Sequence, residues 1–169
     1  MNKSDRKYLK EIIEERNMAE RCFFIGHRDT PQRIFPCLVE AVERCITERG
    51  ITEFLVGGYG RFDAMAAEAV GHLRHKYQNI KLTRLLAYYD PHSKIPGIER
   101  FDDSLYPDGL ENTPKRAAIL KANRYAVNNS QYVIAFVYHF GNSRDLLEYA
   151  YGRVIVENLA GEYMKQPVI

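Results

Sequence analysis

The sequence predicts an α/β fold of three layers, a mainly parallel sheet flanked by helices. Three observations predict it. Short apolar runs alternate with segments of helical periodicity along most of the chain. The runs are apolar nearly throughout, as strands covered on both faces must be. Glycine-bearing loops follow several of them, where a strand has to turn sharply into a helix.

Each element has its own grounds. Residues 4–18 read as an amphipathic helix, with Tyr8, Leu9, Ile12 and Ile13 as a narrow apolar stripe among Lys, Arg and Glu. Packing on its own domain is expected, with residues 1–20 as this helix and 21–169 as one domain. Residues 21–25 (RCFFI) are a buried strand meeting Gly26-His27-Arg28. Thr30-Pro31 then supplies a capping hydroxyl and a proline at the first helical position. Ile34, Leu38, Val42 and Ile46 recur every four residues, and Arg49-Gly50 stops that helix. Residues 52–56 form the second strand, and a helix over 62–77 turns Ala66, Ala69, Val70 and Leu73 inward.

Residues 81–88 are a third strand, and 90–98, with two prolines and a glycine, a loop. A short strand at 101–106 precedes the turn Pro107-Asp108-Gly109. Thr113-Pro114 opens a helix reaching 128, and residues 132–138 (YVIAFVY) are the most strand-like segment. A final helix is expected over 143–159. Right-handed crossovers between such strands give a Rossmann-like arrangement.

Composition narrows the function classes. The net charge of +2 over 169 residues argues against a nucleic-acid partner, which usually calls for a basic surplus or stripe. Cys22, Cys37 and Cys45 lack metal-ligand spacing and read as small buried hydrophobes. The histidines are scattered, so no metal site is expected. A charged N-terminus without an apolar core segment, and the lack of any run near the roughly 20 apolar residues a bilayer span needs, predict a cytoplasmic protein with no membrane partner.

In a parallel sheet of this kind ligands bind at the carboxyl ends of the strands. That rule selects the loops at Gly26-His27-Arg28, at 57–63, at Tyr89-Asp90 and at 139–145. The strongest is Gly57-Gly58-Tyr59-Gly60-Arg61-Phe62-Asp63. Its glycines allow close backbone approach, the next helix starts with outward N–H groups, and Arg61 has the planar fork that clamps phosphate. The spacing matches neither the dinucleotide fingerprint nor the Walker pattern. His27 and Arg28 are candidates for a second anion or a ribose. Arg144 and Asp145 open the last helix beside Gly141, Asn142 and Ser143.

Taken in order, these segments resemble the SLOG superfamily, named for its Smf/DprA and LOG members, with the nearest likeness to YpsA-like and related bacterial proteins. The parallels are residues 23–28, 56–63, 101–107, 119–124, 130–137 and 141–150. The resemblance implies a Rossmann-like fold that binds nucleotides or nucleotide-derived ligands. It adds Asn123 and Arg124 to the binding residues. The LOG branch cleaves nucleotide monophosphates to base and ribose phosphate, using a Pro-Gly-Gly-x-Gly-Thr-x-x-Glu signature after the late strand. The corresponding stretch here, residues 139–145, lacks the proline and the paired glycines. Asp145 or Glu148 is the candidate for the catalytic carboxylate. The Smf/DprA branch handles single-stranded DNA, and the chain shows no obvious basic aromatic strip for that.

The resulting expectation is binding or sensing of a nucleotide or ADP-ribose-type ligand. Its alternatives are an N-glycosidic hydrolase and an interaction protein with a vestigial pocket. The family likeness and the extra helix point to a homo-oligomer.

Overall fold

A computed structural model describes residues 2–17, 20–58, 60–88 and 100–163. Tyr59 and the loops expected at 89–90 and 90–98 lie outside the described residues. The chain opens with α1 (Lys3–Asn17), β1 (Arg21–Gly26), α2 (Phe35–Arg49) and β2 (Glu53–Val56). It continues through α3 (Arg61–Leu73), β3 (Lys81–Leu85), β4 (Asp103–Leu105) and α4 (Lys115–Asn128). It closes with β5 (Tyr132–Phe136), α5 (Asn142–Ala150), β6 (Ile155–Asn158) and the short α6 (Ala160–Tyr163).

The strands form one sheet in the order β4-β3-β2-β1-β5-β6, and all paired neighbours run parallel. Because strand side chains alternate faces, neighbouring residues of β1 serve different layers. Phe24 packs with Phe54, Leu38, Val42, Ala66 and Val70 on the α2–α3 side. Phe23 and Ile25 pack with Leu55, Ala118, Ala122 and Leu147 on the α4–α5 side. The architecture is therefore the predicted Rossmann-like one, with three layers and a fully parallel sheet.

The chain builds β1 to β4 outward in one direction, then returns to lay β5 against the other side of β1. That reversal is the switch point, where strand-end loops diverge and leave a crevice. At the opposite, amino end the sheet is closed by a buried ion pair. Glu53, 6% exposed, meets Arg21 at 3.2 Å and accepts a hydrogen bond from the Thr83 hydroxyl at 2.9 Å.

Several boundaries differ from expectation. The helix expected to run to 159 ends at Ala150, and the chain turns through Gly152 at φ 81° into β6, which pairs with β5. The left-handed glycine stops the helix, and Val154-Ile155-Val156 is β-branched, which favours a strand. α2 begins at Phe35, after a tight 3-10 turn at Gln32–Ile34, because Pro36 is accommodated only in a first helical turn. β3 stops at Leu85 and α3 at Leu73, each short of its predicted end.

Candidate functional site

β1 ends at Gly26, directly under the ring of Phe62. A side chain there has no room, because a Cβ on Gly26 would overlap Phe62. Phe62 itself is 1% exposed and packs edge-on against Phe24, with centroids 6.3 Å apart. The residue read as ligand-binding is thus a core group. Gly26→Ala is expected to lose about 1–3 kcal/mol of stability through overpacking, measurable as a lower urea midpoint at unchanged slope. An unshifted midpoint would show that Phe62 moves aside freely.

The loop after β1 is fastened to α3 through main-chain atoms. The His27 carbonyl accepts from the Thr30 hydroxyl at 2.7 Å and from the Phe62 N–H at 3.4 Å. The Arg28 carbonyl accepts from the Arg61 N–H at 3.3 Å. The first N–H groups of α3, expected to cradle a phosphate, are therefore engaged within the protein. Gly60 is required by close approach, since its Cβ would lie 2.8 Å from the Arg28 Cα. Arg61, the expected clamp, is exposed at the first helical position and lines neither of the cavities described below.

A second set of bonds joins β1 to the loop after β5. Nε2 of His27 accepts from the backbone N–H groups of Tyr138 at 3.1 Å and His139 at 3.4 Å. His27 is 4% exposed, and its ring stacks on His139 with centroids 3.5 Å apart and planes 11° from parallel. Burial, then the neighbouring His139, lowers the His27 pKa. Its acceptor role fixes a neutral imidazole. His139 titrates above the ordinary 6.5, held up first by the Phe140 carbonyl and then by Asp29. His27, Asp29 and His139 each bring a ligand atom within 4.8 Å of the others. The set is poorly arranged for a metal: Nε2 of His27 is already an acceptor, and parallel stacked rings cannot both aim in-plane lone pairs at one ion.

The sign of each shift sets a pH prediction. A lowered His27 pKa contributes stability that is present above about 6.5 and lost as the pH falls. A raised His139 pKa contributes stability that is present below about 6.5 and lost as the pH rises past its folded value. An NMR titration is expected to show His139 protonating first and His27 later. The reverse order would exclude the stacked arrangement.

Ser143 completes the frame, its hydroxyl donating to the Gly26 carbonyl at 2.7 Å. Gly141 precedes α5 at φ 142°, backbone that only glycine adopts readily. Between these fastenings lies a cavity of about 140 Å³. Gly26, His27 and Arg28 form one wall, and Gly57, Gly60 and Asp63 the next. Asn123 of α4 and Asn142 and Ser143 of α5 complete the lining. A second cavity of about 200 Å³ adjoins it through Gly57, Gly60 and Asp63, and holds Gly58, Arg84, Arg100 and Phe101.

Other candidates sit elsewhere. The Arg124 guanidinium lies over the Tyr149 ring at 4.9 Å. Arg144 and Glu148 pair with each other at 3.4 Å, on a part of α5 that lines a separate cavity with Tyr151 and Asn158. Asp145 is exposed in the first turn of α5, so the two carboxylates considered for catalysis do not line the switch-point cavity.

Arg84 and Arg100 escaped the sequence reading, and Phe140 lies in the selected loop 139–145 without having been named as a contact. Arg84 stands in an apolar strand run at the carboxyl end of β3, which was a usable signal, and its guanidinium lies 5.5 Å from the Phe101 ring centre. Arg100 joins it only through tertiary folding. Phe140 is 86% exposed, with the Arg144 guanidinium 5.4 Å from its ring centre.

Fold and site together define a Rossmann-like α/β protein with a cationic, partly aromatic crevice at its switch point. No family model matches the sequence, and no curated protein matches it. A solved structure does: DNA processing protein A from Helicobacter pylori, described for its single-stranded DNA binding mode. It matches with a TM-score of 0.51 at 15% identity, covering 88% of this chain and 73% of that one. The likeness establishes a DprA-like α/β fold.

That neighbour corrects two expectations, a small nucleotide as the ligand and nucleic acid as an unlikely partner. A protein of this fold binds single-stranded DNA. The expectation against nucleic acid rested on net charge, which says nothing of where charges gather, and on the lack of a basic aromatic strip in the sequence. Arg28, Arg84 and Arg100 converge on adjoining cavities, and the half-exposed Tyr138 and His139 lead to the exposed Phe140. Among the described residues no helix is long and apolar enough to cross a membrane.

Proposed function

We propose that this chain binds single-stranded nucleic acid at the carboxyl edge of its sheet. The observation behind the proposal is that a cavity walled by Arg28 opens at the switch point of a DprA-like fold, and the loop after β5 presents the exposed Phe140 two residues before Asn142 of its lining. Arg28 supplies a phosphate contact at the crevice wall. Phe140 supplies a stacking surface for a base, and Arg144 behind it strengthens a cation–π face. Both kinds of contact are indifferent to base identity, so weak sequence preference is expected. On the same proposal the chain is placed in the SLOG superfamily, and its nearer likeness to the YpsA-like branch rests on the sequence motifs.

The test is fluorescence anisotropy of a labelled oligothymidylate against protein concentration, repeated across a salt series. Binding that weakens with salt, at a logarithmic slope of about −0.7 per phosphate neutralised, and that prefers a single strand to a duplex, is the expected result. Absence of binding at low salt would overturn the proposal.

A further inference from the structure

The two switch-point cavities are not the end of the depression. The second shares Ala67 and Arg100 with a third, of about 600 Å³, which reaches Gly71, His72 and His75 near the end of α3. The three cavities therefore succeed one another along α3 from its amino end, each sharing lining residues with the next. From Gly60 to His72 this course is about 18 Å at the helical rise. At the stacked spacing of about 3.4 Å per phosphate it spans up to roughly five phosphates.

The lining suits a strand laid lengthwise. Ala64 and Ala67 leave the helix side of the second cavity flat, while Arg84 and Arg100 stand with Phe101 on the other side. Arg84 is set deep there, its guanidinium filling the position that a Cβ on Gly58 would take. Asp63, shared by the first two cavities, separates a cationic position at Arg28 from a second at Arg84 and Arg100. Arg74 is committed at the groove's edge, paired with Asp102 and donating to the Arg100 carbonyl at 3.1 Å. Glu68 is the acidic group of the third cavity, beside His72 and His75.

We infer that a single strand continues past the first cavity along α3, so that the site takes several consecutive nucleotides with a second phosphate position at Arg84 and Arg100. This rests on the single-strand reading above. It adds a direction and a length to it.

The experiment measures dissociation constants for oligothymidylates of two, six and twelve nucleotides with the full chain. The unaltered protein is expected to gain affinity steeply between two and six nucleotides. Ala64→Glu places a carboxylate in the second cavity from an exposed helical position, and Arg100→Ala removes a cation. Each is expected to flatten the length dependence and to weaken the twelve-nucleotide complex by about tenfold or more, the loss of one charged hydrogen bond. Arg28→Ala is expected to lower affinity at all three lengths. If both groove variants keep the full length dependence while Arg28→Ala still weakens binding, the path along α3 is wrong and the site at the switch point stands. If the unaltered protein binds none of the three, both readings fall. Thermal unfolding of each variant confirms that the fold is retained.

Discussion

Removing Arg28 and Phe140 together is expected to weaken binding of a single-stranded oligonucleotide by at least about sixtyfold. A charged hydrogen bond to phosphate is worth about 1.5–3 kcal/mol, and a base stacked on an aromatic ring about 1–3 kcal/mol. The two groups touch different parts of the ligand, so their losses should roughly add. Both side chains are exposed, and neither is a core residue. The fold should therefore survive in Arg28→Ala/Phe140→Ala. The salt dependence separates the contributions: Arg28→Ala should shallow the logarithmic slope by about 0.7, the single-strand value for one phosphate, whereas Phe140→Ala should leave it unchanged. Equal affinity in the double variant and the parent would remove both residues from the interface.

The second large effect concerns the fold beneath the site. Phe62→Ala is expected to cost about 3–5 kcal/mol, the range for deleting a buried aromatic ring. Phe62 fills the space between Gly26 and Phe24, so its loss opens a cavity directly under the crevice floor. Urea unfolding followed by circular dichroism measures this. A loss below about 1 kcal/mol would mean that the neighbouring helices collapse to refill the space. Gly26→Ala in the Phe62→Ala background should be far less costly than in the parent, because the ring that a methyl group would strike is gone.

How much of this was legible in the sequence depends on the element. β1, β2 and β5 announced themselves because both faces are buried and almost every residue in them is apolar. β6 did not. Edge position leaves Ile155 54% exposed, and the four-residue run follows a segment whose Leu147 and Ala150 keep helical spacing. The glycines at 26, 57 and 60 were readable as close-approach positions, and the structure gathers them at one cavity. Which groups they approach was not readable, since Phe62 and Arg28 come beside Gly26 and Gly60 only through tertiary folding. Arg84 and Arg100 belong to different strand ends and share a cavity only because β3 lies beside β2 with residue 100 leading into β4. Local charge is a property of the folded surface, and a count over the whole chain erased it.

The fastenings around the crevice have a consequence for sequence drift. The Arg61 and Phe62 N–H groups, the Gly26, His27 and Arg28 carbonyls, and the Tyr138 and His139 N–H groups are all main-chain atoms. Nearly every amino acid supplies such atoms. Residues 28, 61, 138 and 139 can therefore be exchanged without unhitching the loops, provided that a few groups such as Ser143 and His27 stay to engage them. A mouth built in this way keeps its shape while its lining is rewritten. That is consistent with a DprA-like outline recognisable in three dimensions at 15% identity, and it leaves the lining free to be tuned to a different length or chemistry of strand.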